Sequence, residues 1–252
     1  PPMKTPAIVS LLLAAVLGTQ ALAGEVHVAV AANFTEPAKE IAAAFKETTG
    51  HDAVLSFGAT GQLYAQITQD APFGVFLSAD AERPQQAIDE GLAEKGSRFT
   101  YAVGRLVLWS RDASRKASED ALREGDFQKL AIANPQAAPY GAAAVEVLRS
   151  LGVLAAVESR LVQGNNITQT FQFVDTGNAE FGFVAAAQLA GRSEGSRWLV
   201  PGHLHRPIRQ DAVLLRKAAG NEAAAAFVAF LKGPEARAII ERYGYGTGDG
   251  GT

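Results

Sequence analysis

From Gly24 onward, short apolar runs alternate with helical patterns of ten or more residues, a rhythm that commits a chain to strands joined by covering helices and so to a parallel, doubly wound α/β architecture. Residues 26–31 read as a buried strand. Residues 37–48 read as a helix with Ile41, Ala44 and Phe45 on one face and Gly50 as its stop. A strand at 54–57, a Gly-Ala-Thr-Gly turn at 58–61, a short helix at 63–69, a strand at 75–78 and a helix at 83–90 complete one βαβαβα unit. Strands at 105–110, 130–133 and 181–184, with helices at 142–151 and 168–176, form a second unit. A strand at 211–215 and helices at 222–231 and 234–243 close the chain.

Residues 4–23 have the form of an export signal: Lys4, an apolar stretch at 8–17, and Ala21-Leu22-Ala23 at the cleavage position. The mature chain is expected to begin at Gly24, and Pro1 and Pro2, ahead of Met3, read as additions. The apolar stretch is too short to span a bilayer, and no later segment approaches about 18 uninterrupted apolar residues. No cysteine occurs, which excludes disulfides, thiolate metal sites and cysteine nucleophiles. Of 23 basic residues the signal carries only Lys4, leaving 22 against 26 acidic ones. These charges are scattered, so no basic face is offered to nucleic acid or lipid, and an anionic ligand would have to be held by local donors.

The usual enzyme signatures are missing: no Gly-x-Ser-x-Gly elbow, His-Glu-x-x-His, Walker loop or Gly-x-Gly-x-x-Gly after the first strand. His203-Leu204-His205 lies in a Pro/Gly loop without acidic partners and reads as solvated rather than metal-binding. Four strand-to-helix junctions carry small polar residues instead. Asn33 is placed to cap a helix with Pro37 near its first turn, and Thr60 brings a hydroxyl to a helix start. Pro139-Tyr140-Gly141 precedes a helix from Ala142, and Asn165-Asn166-Ile167-Thr168 precedes one running toward Thr176. Each junction alone does no more than cap a helix. In doubly wound folds, however, such loops gather beyond the carboxyl ends of the strands, where ligands bind, and converging helix N-termini hold an anion without fixed charge.

The runs Val28-Ala29-Val30-Ala31-Ala32-Asn33-Phe34-Thr35-Glu36-Pro37, Leu55-Ser56-Phe57-Gly58-Ala59-Thr60-Gly61-Gln62-Leu63 and Ala71-Pro72-Phe73-Gly74-Val75-Phe76-Leu77-Ser78-Ala79-Asp80 carry a family resemblance. With Ala133-Asn134-Pro135, Pro139-Tyr140-Gly141 and the closing Arg242-Tyr243-Gly244-Tyr245, the chain resembles the periplasmic molybdate-binding proteins of the type II solute-binding group over nearly all of 24–245. The resemblance implies an α/β, two-lobed periplasmic binding fold with a ligand cleft between lobes. Residues 24–103 and 212–252 would form lobe one and 104–211 lobe two, behind the signal at 1–23. It implies the substrate-binding subunit of an ABC importer for molybdate or tungstate, docking on a permease and its ATPase at the inner membrane. No catalysis, cofactor, protein–metal bond or nucleic-acid partner is implied, and a monomer is expected.

Carried onto this chain, Asn33 would offer its backbone and side-chain amides, Thr60 its backbone N–H and hydroxyl, and Tyr140 and Ile167 a backbone N–H each, with Ala32 a further backbone donor. Some relatives have a serine where Asn33 stands, and some supply a tyrosine hydroxyl near Ala185, which has none to give. Charge-assisted hydrogen bonds of roughly 1.5–3 kcal/mol each make an all-neutral site adequate for a dianion. A sulfate or thiosulfate carrier is the alternative within this class, separated by cavity size. A secreted hydrolase using Asp80 and Glu82, or a structural or adhesive exported domain, are the alternatives outside it.

Overall fold

The computed structural model describes residues 23–247; the expected export signal, apart from Ala23, lies outside them. In chain order the elements are β1 (Glu25–Ala31), α1 (Thr35–Thr49), β2 (Asp52–Gly58), α2 (Thr60–Thr68), β3 (Val75–Leu77), α3 (Glu82–Asp89) and β4 (Phe99–Gly104). Then come β5 (Leu106–Ser110), α4 (Glu119–Glu124), β6 (Leu130–Ala133), α5 (Pro139–Ser150), α6 (Leu154–Val157), β7 (Leu161–Gly164), α7 (Ile167–Asp175), β8 (Phe181–Ala185) and β9 (Ser196–Leu199). The chain closes with β10 (Ile208–Leu214), α8 (Glu222–Leu231) and α9 (Pro234–Arg242).

Two five-stranded sheets form the centres of two lobes, ordered β2-β1-β3-β10-β4 and β7-β6-β8-β5-β9. Strand alternation sorts the first sheet's side chains onto two faces. Val26, Val28 and Val30 pack with Ile41 and Phe45 of α1, Phe227 of α8 and Ile239 of α9. Ala29 and Phe76 face Leu63, Tyr64 and Ile67 of α2 on the other side. In the second lobe Leu106, Leu108, Leu130 and Ile132 meet Val147 and Leu148 of α5. Trp109, on the opposite face, stacks on Phe171 of α7 at 5.1 Å between ring centroids.

The sheets are mixed rather than purely parallel. β1 runs parallel to β2 and β3, and β6 to β7 and β8, but β10 is antiparallel to β3 and β4, and β5 to β8 and β9. These are the strands that carry the chain between lobes, and returning to a sheet from the other lobe frees them from the right-handed crossover that makes neighbours parallel. The crossings lie side by side, because Ile208 pairs with Gly104 at the point where β4 gives way to β5. β10 begins at Ile208 in the first sheet, four residues before the expected division at 212, since Gln210 and Asp211 are buried polar residues inside the strand rather than its polar approach. The short strands β4, β7 and β9 were not anticipated.

Candidate functional site

Where the strands of both lobes end, the two bodies meet over one small, partly open pocket whose wall includes Asn33, Thr60, Tyr140 and Ile167. No acidic, basic or histidine side chain lines it. The four sequence-derived positions therefore come together, two from each lobe.

Helix starts create the donors. Ala59 and Ala138 precede α2 and α5 in extended conformation and offer no side-chain cap, so the N–H of Thr60 at the start of α2 and that of Tyr140, after the amide-less Pro139, stay without a helical partner. Thr60 is the first residue of α2. α5 starts at Pro139 rather than at Ala142, because proline suits the first helical position, and Tyr140 becomes the second residue, with no intrahelical acceptor for its N–H. Asn166 caps α7 by accepting from Gln169 N at 3.0 Å, which leaves the N–H of Ile167, the first residue, without an intrahelical partner. Thr60 Oγ1 accepts from Ala79 N at 3.0 Å, so its own proton remains to be donated.

Asn33 departs from expectation. It lies in a single 3-10 turn before α1 and does not cap that helix. Both hydrogens of its Nδ2 are committed within the protein, to Gln210 Oε1 at 2.8 Å and to Tyr245 Oη at 3.0 Å. Its side-chain amide thus belongs to a buried polar cluster, and its backbone N–H is the donor left for a ligand. The cluster satisfies three buried groups at once, which outweighs a solvent-side cap. Ala185 is buried and lies outside the cavity wall. Its N–H donates to Gln188 Oε1 at 2.9 Å, and Gln188 Nε2 donates to Ile167 O at 3.1 Å, seating the first turn of α7.

Sequence reasoning missed Gln188, Gln210, Tyr101 and Tyr245 as residues that position the site. The Gln-Asp pair entering an apolar strand and the tyrosine of the closing motif were the available signals. Burial pushes the hydroxyls of Tyr101, Tyr140 and Tyr245 above the usual tyrosine range, which keeps them neutral donors. Two further contacts join the lobes at the cavity rim: Gly61 N–H donates to Ala137 O at 2.8 Å, and Arg83 Nη2 to Gln136 O at 3.0 Å. A side chain at 61 would stand 3.2 Å from Ala137 Cα, so glycine permits this approach. Asp80, one acid of the hydrolase alternative, is ion-paired with Arg83 and accepts from Ser78 Oγ at 2.9 Å; it and Glu82 line a neighbouring groove, not the cavity.

Two α/β lobes linked by paired crossings, with a small neutral cavity of helix-start donors between them, define a two-lobed binding protein that encloses a small solute. The chain belongs to the bacterial extracellular solute-binding protein family, whose model matches residues 26–246. It is 56% identical over 231 residues, 92% of each chain, to the molybdate-binding protein ModA of Rhodobacter capsulatus. It is 53% identical to the ModA of Azotobacter vinelandii, covering 92% of this chain and 94% of that one. Among solved structures, the periplasmic molybdate-binding protein of Azotobacter vinelandii superposes with a TM-score of 0.84 at 40% identity, covering 88% of this chain and 98% of that one.

Proposed function

We propose that this chain is the periplasmic substrate-binding subunit of an ABC importer and that it captures molybdate or tungstate as the intact oxyanion, held by Asn33, Thr60, Tyr140 and Ile167. The observation that carries the reading is the character of the cavity: small, set between the lobes, and furnished with donors but, among the described residues, no carboxylate acceptor. Ordinary metal coordination by the protein is not involved, and the protein performs no catalysis and uses no cofactor.

The backbone N–H groups of Asn33, Thr60, Tyr140 and Ile167 and the Thr60 hydroxyl make five donors, with the Ala32 N–H as a sixth. At roughly 1.5–3 kcal/mol each, less the costs of desolvation and lobe closure, they account for micromolar to nanomolar capture. A fully deprotonated tetrahedral dianion accepts from every donor and asks for no acceptor in return. Protonated phosphate does ask for one. Lobe closure then offers a joined surface to a membrane permease driven by its ATPase. Removal of the export signal after Ala23, a monomeric mature chain, and a division into lobes near 104 and at the start of β10 near 208 complete the reading.

The test is thermal unfolding of residues 24–252 with molybdate, tungstate, sulfate or phosphate. A ligand present at 100 times its dissociation constant adds about 2.7 kcal/mol. A shift confined to molybdate and tungstate is the expected result. An equal shift with sulfate reassigns the cavity to a sulfate or thiosulfate carrier, and no shift with any oxyanion overturns the reading.

A further inference from the structure

One buried polar cluster runs from the cavity to the hinge, and only one of its members comes from the second lobe. Gln210 Oε1 accepts from Asn33 Nδ2 at 2.8 Å and lies 3.2 Å from the Tyr101 hydroxyl, which also donates to Ser78 O at 3.0 Å. Tyr245 Oη donates to Asn33 O at 2.7 Å. All of these residues belong to the first sheet or to the segments packed on it. Tyr140 enters from α5 of the other lobe, 2% exposed, and its hydroxyl accepts from Gln210 Nε2 at 3.2 Å.

The space for that phenol is made at the crossing itself. A Cβ at Gly104 would stand 2.1 Å from Tyr140 Oη and 2.8 Å from Gln210 Nε2, so the ring end lies directly against the backbone of the hinge. Phe34 braces the cluster, edge-on to Tyr101 at 4.9 Å and to Tyr245 at 5.3 Å. The tail carrying Tyr245 is strapped to β4 next to the hinge by Val103 N–H to Gly246 O at 2.7 Å and Gly246 N–H to Val103 O at 2.9 Å.

We infer that Tyr140 is a two-ended closure residue, its backbone N–H facing the ligand and its phenol latching onto Gln210, which acts with Tyr245 as a positioning residue for ligand retention. This rests on the functional reading above. Parting the lobes far enough to free the anion withdraws the phenol from the cluster and leaves the phenol and Gln210 Nε2 short of a partner. The latch therefore resists opening more than it assists the encounter, and its energy appears in the dissociation rate.

Stopped-flow binding of molybdate to the 24–252 chain tests it, with Tyr140→Phe, Tyr245→Phe, the double variant, and Tyr64→Phe as comparison. Tyr64 donates to Glu90 Oε2 at 2.7 Å, away from the cleft, so its loss costs a hydrogen bond of similar kind without touching the latch. Expected are a dissociation rate raised about tenfold in Tyr140→Phe and Tyr245→Phe with the association rate unchanged, and no larger rise in the double variant, since both substitutions break one unit. Tyr64→Phe should dissociate like the native chain. Native binding with unchanged dissociation in Tyr140→Phe, or an equal rise in Tyr64→Phe, overturns the latch alone. A native chain that takes up no molybdate overturns the functional reading and the latch with it.

Discussion

Two spaces lie side by side between the lobes, and they treat charge in opposite ways. The small cavity at the strand ends has no charged side chain in its wall among the described residues, whereas the larger adjoining groove is lined by Asp80, Glu82, Arg83, Glu146, Arg206 and Arg209. The groove's cations are largely engaged already. Arg83 pairs with Asp80, and Arg206 lies 2.6 Å from Glu146. An anion arriving at Arg83 or Arg206 has to displace a carboxylate. The amides of Thr60, Tyr140 and Ile167 have no such competitor, because a helix cannot satisfy its own first N–H groups. Here full charges fasten the rims and helix-start dipoles line the cavity.

Giving the cavity a charge of its own breaks the contrast most severely. Asn33→Asp places a carboxylate beside the dianion and replaces two donated hydrogen bonds with acceptors facing Gln210 Oε1 and Tyr245. Repulsion of about 4 kcal/mol or more at an effective dielectric near 20 corresponds to roughly a thousandfold loss of affinity by calorimetry. A loss below about tenfold would place the ligand elsewhere.

Thr60→Val keeps the shape but removes the hydroxyl that accepts from Ala79 N and is proposed to donate to the ligand, so molybdate binding should weaken roughly 10–100-fold. On the groove side, Arg83→Ala removes the Asp80 pair and one contact to Gln136 O. A half-screened rim pair of this kind should change affinity less than about threefold in the same titration.

The smallest effect is a pH dependence confined to the groove. Burial tends to raise the Glu146 carboxyl, but the N–H and guanidinium of Arg206 outweigh it and hold the group below the usual carboxylate range. A lowered folded value means that the pair's contribution is full above the unfolded carboxylate range and fades as pH falls through the lowered value. Arg206 is 84% exposed, so Glu146→Gln should lower stability above the carboxylate range by less than about 1 kcal/mol, a difference that fades as pH falls, measured by urea unfolding across the carboxylate range. Ligand affinity should not follow that titration while the oxyanion stays deprotonated, since no carboxylate lines the cavity.

The donors were legible in the sequence because helix starts announce themselves locally. Thr60 follows the Gly-Ala turn, Asn166 stands before Ile167, and Pro139 marks a first turn, although the helix begins three residues earlier than its apolar pattern suggested. The framework was legible for the same reason: its strands alternate with helices. The strand directions were not, because a run such as Ala212-Val213-Leu214 has the same pattern in either orientation. Nor was the cluster behind the site. Asn33 meets Gln210 across 177 residues and Tyr245 across 212, and a lone asparagine after a strand looks like a cap until its distant partners are known.

Gly61 carries a consequence for how the cleft is timed. Its N–H is the second of α2, and its acceptor, Ala137 O, belongs to the other lobe. No turn of its own helix can shield that hydrogen once the lobes part, so its exchange with solvent deuterium requires an excursion of the cleft and not an unfolding of either sheet. The native backbone thus contains an unlabelled clock: protection at Gly61 reports the fraction of time the cleft stands ajar, while the amides of β1 and β6 on either side count only the far rarer loss of a whole lobe.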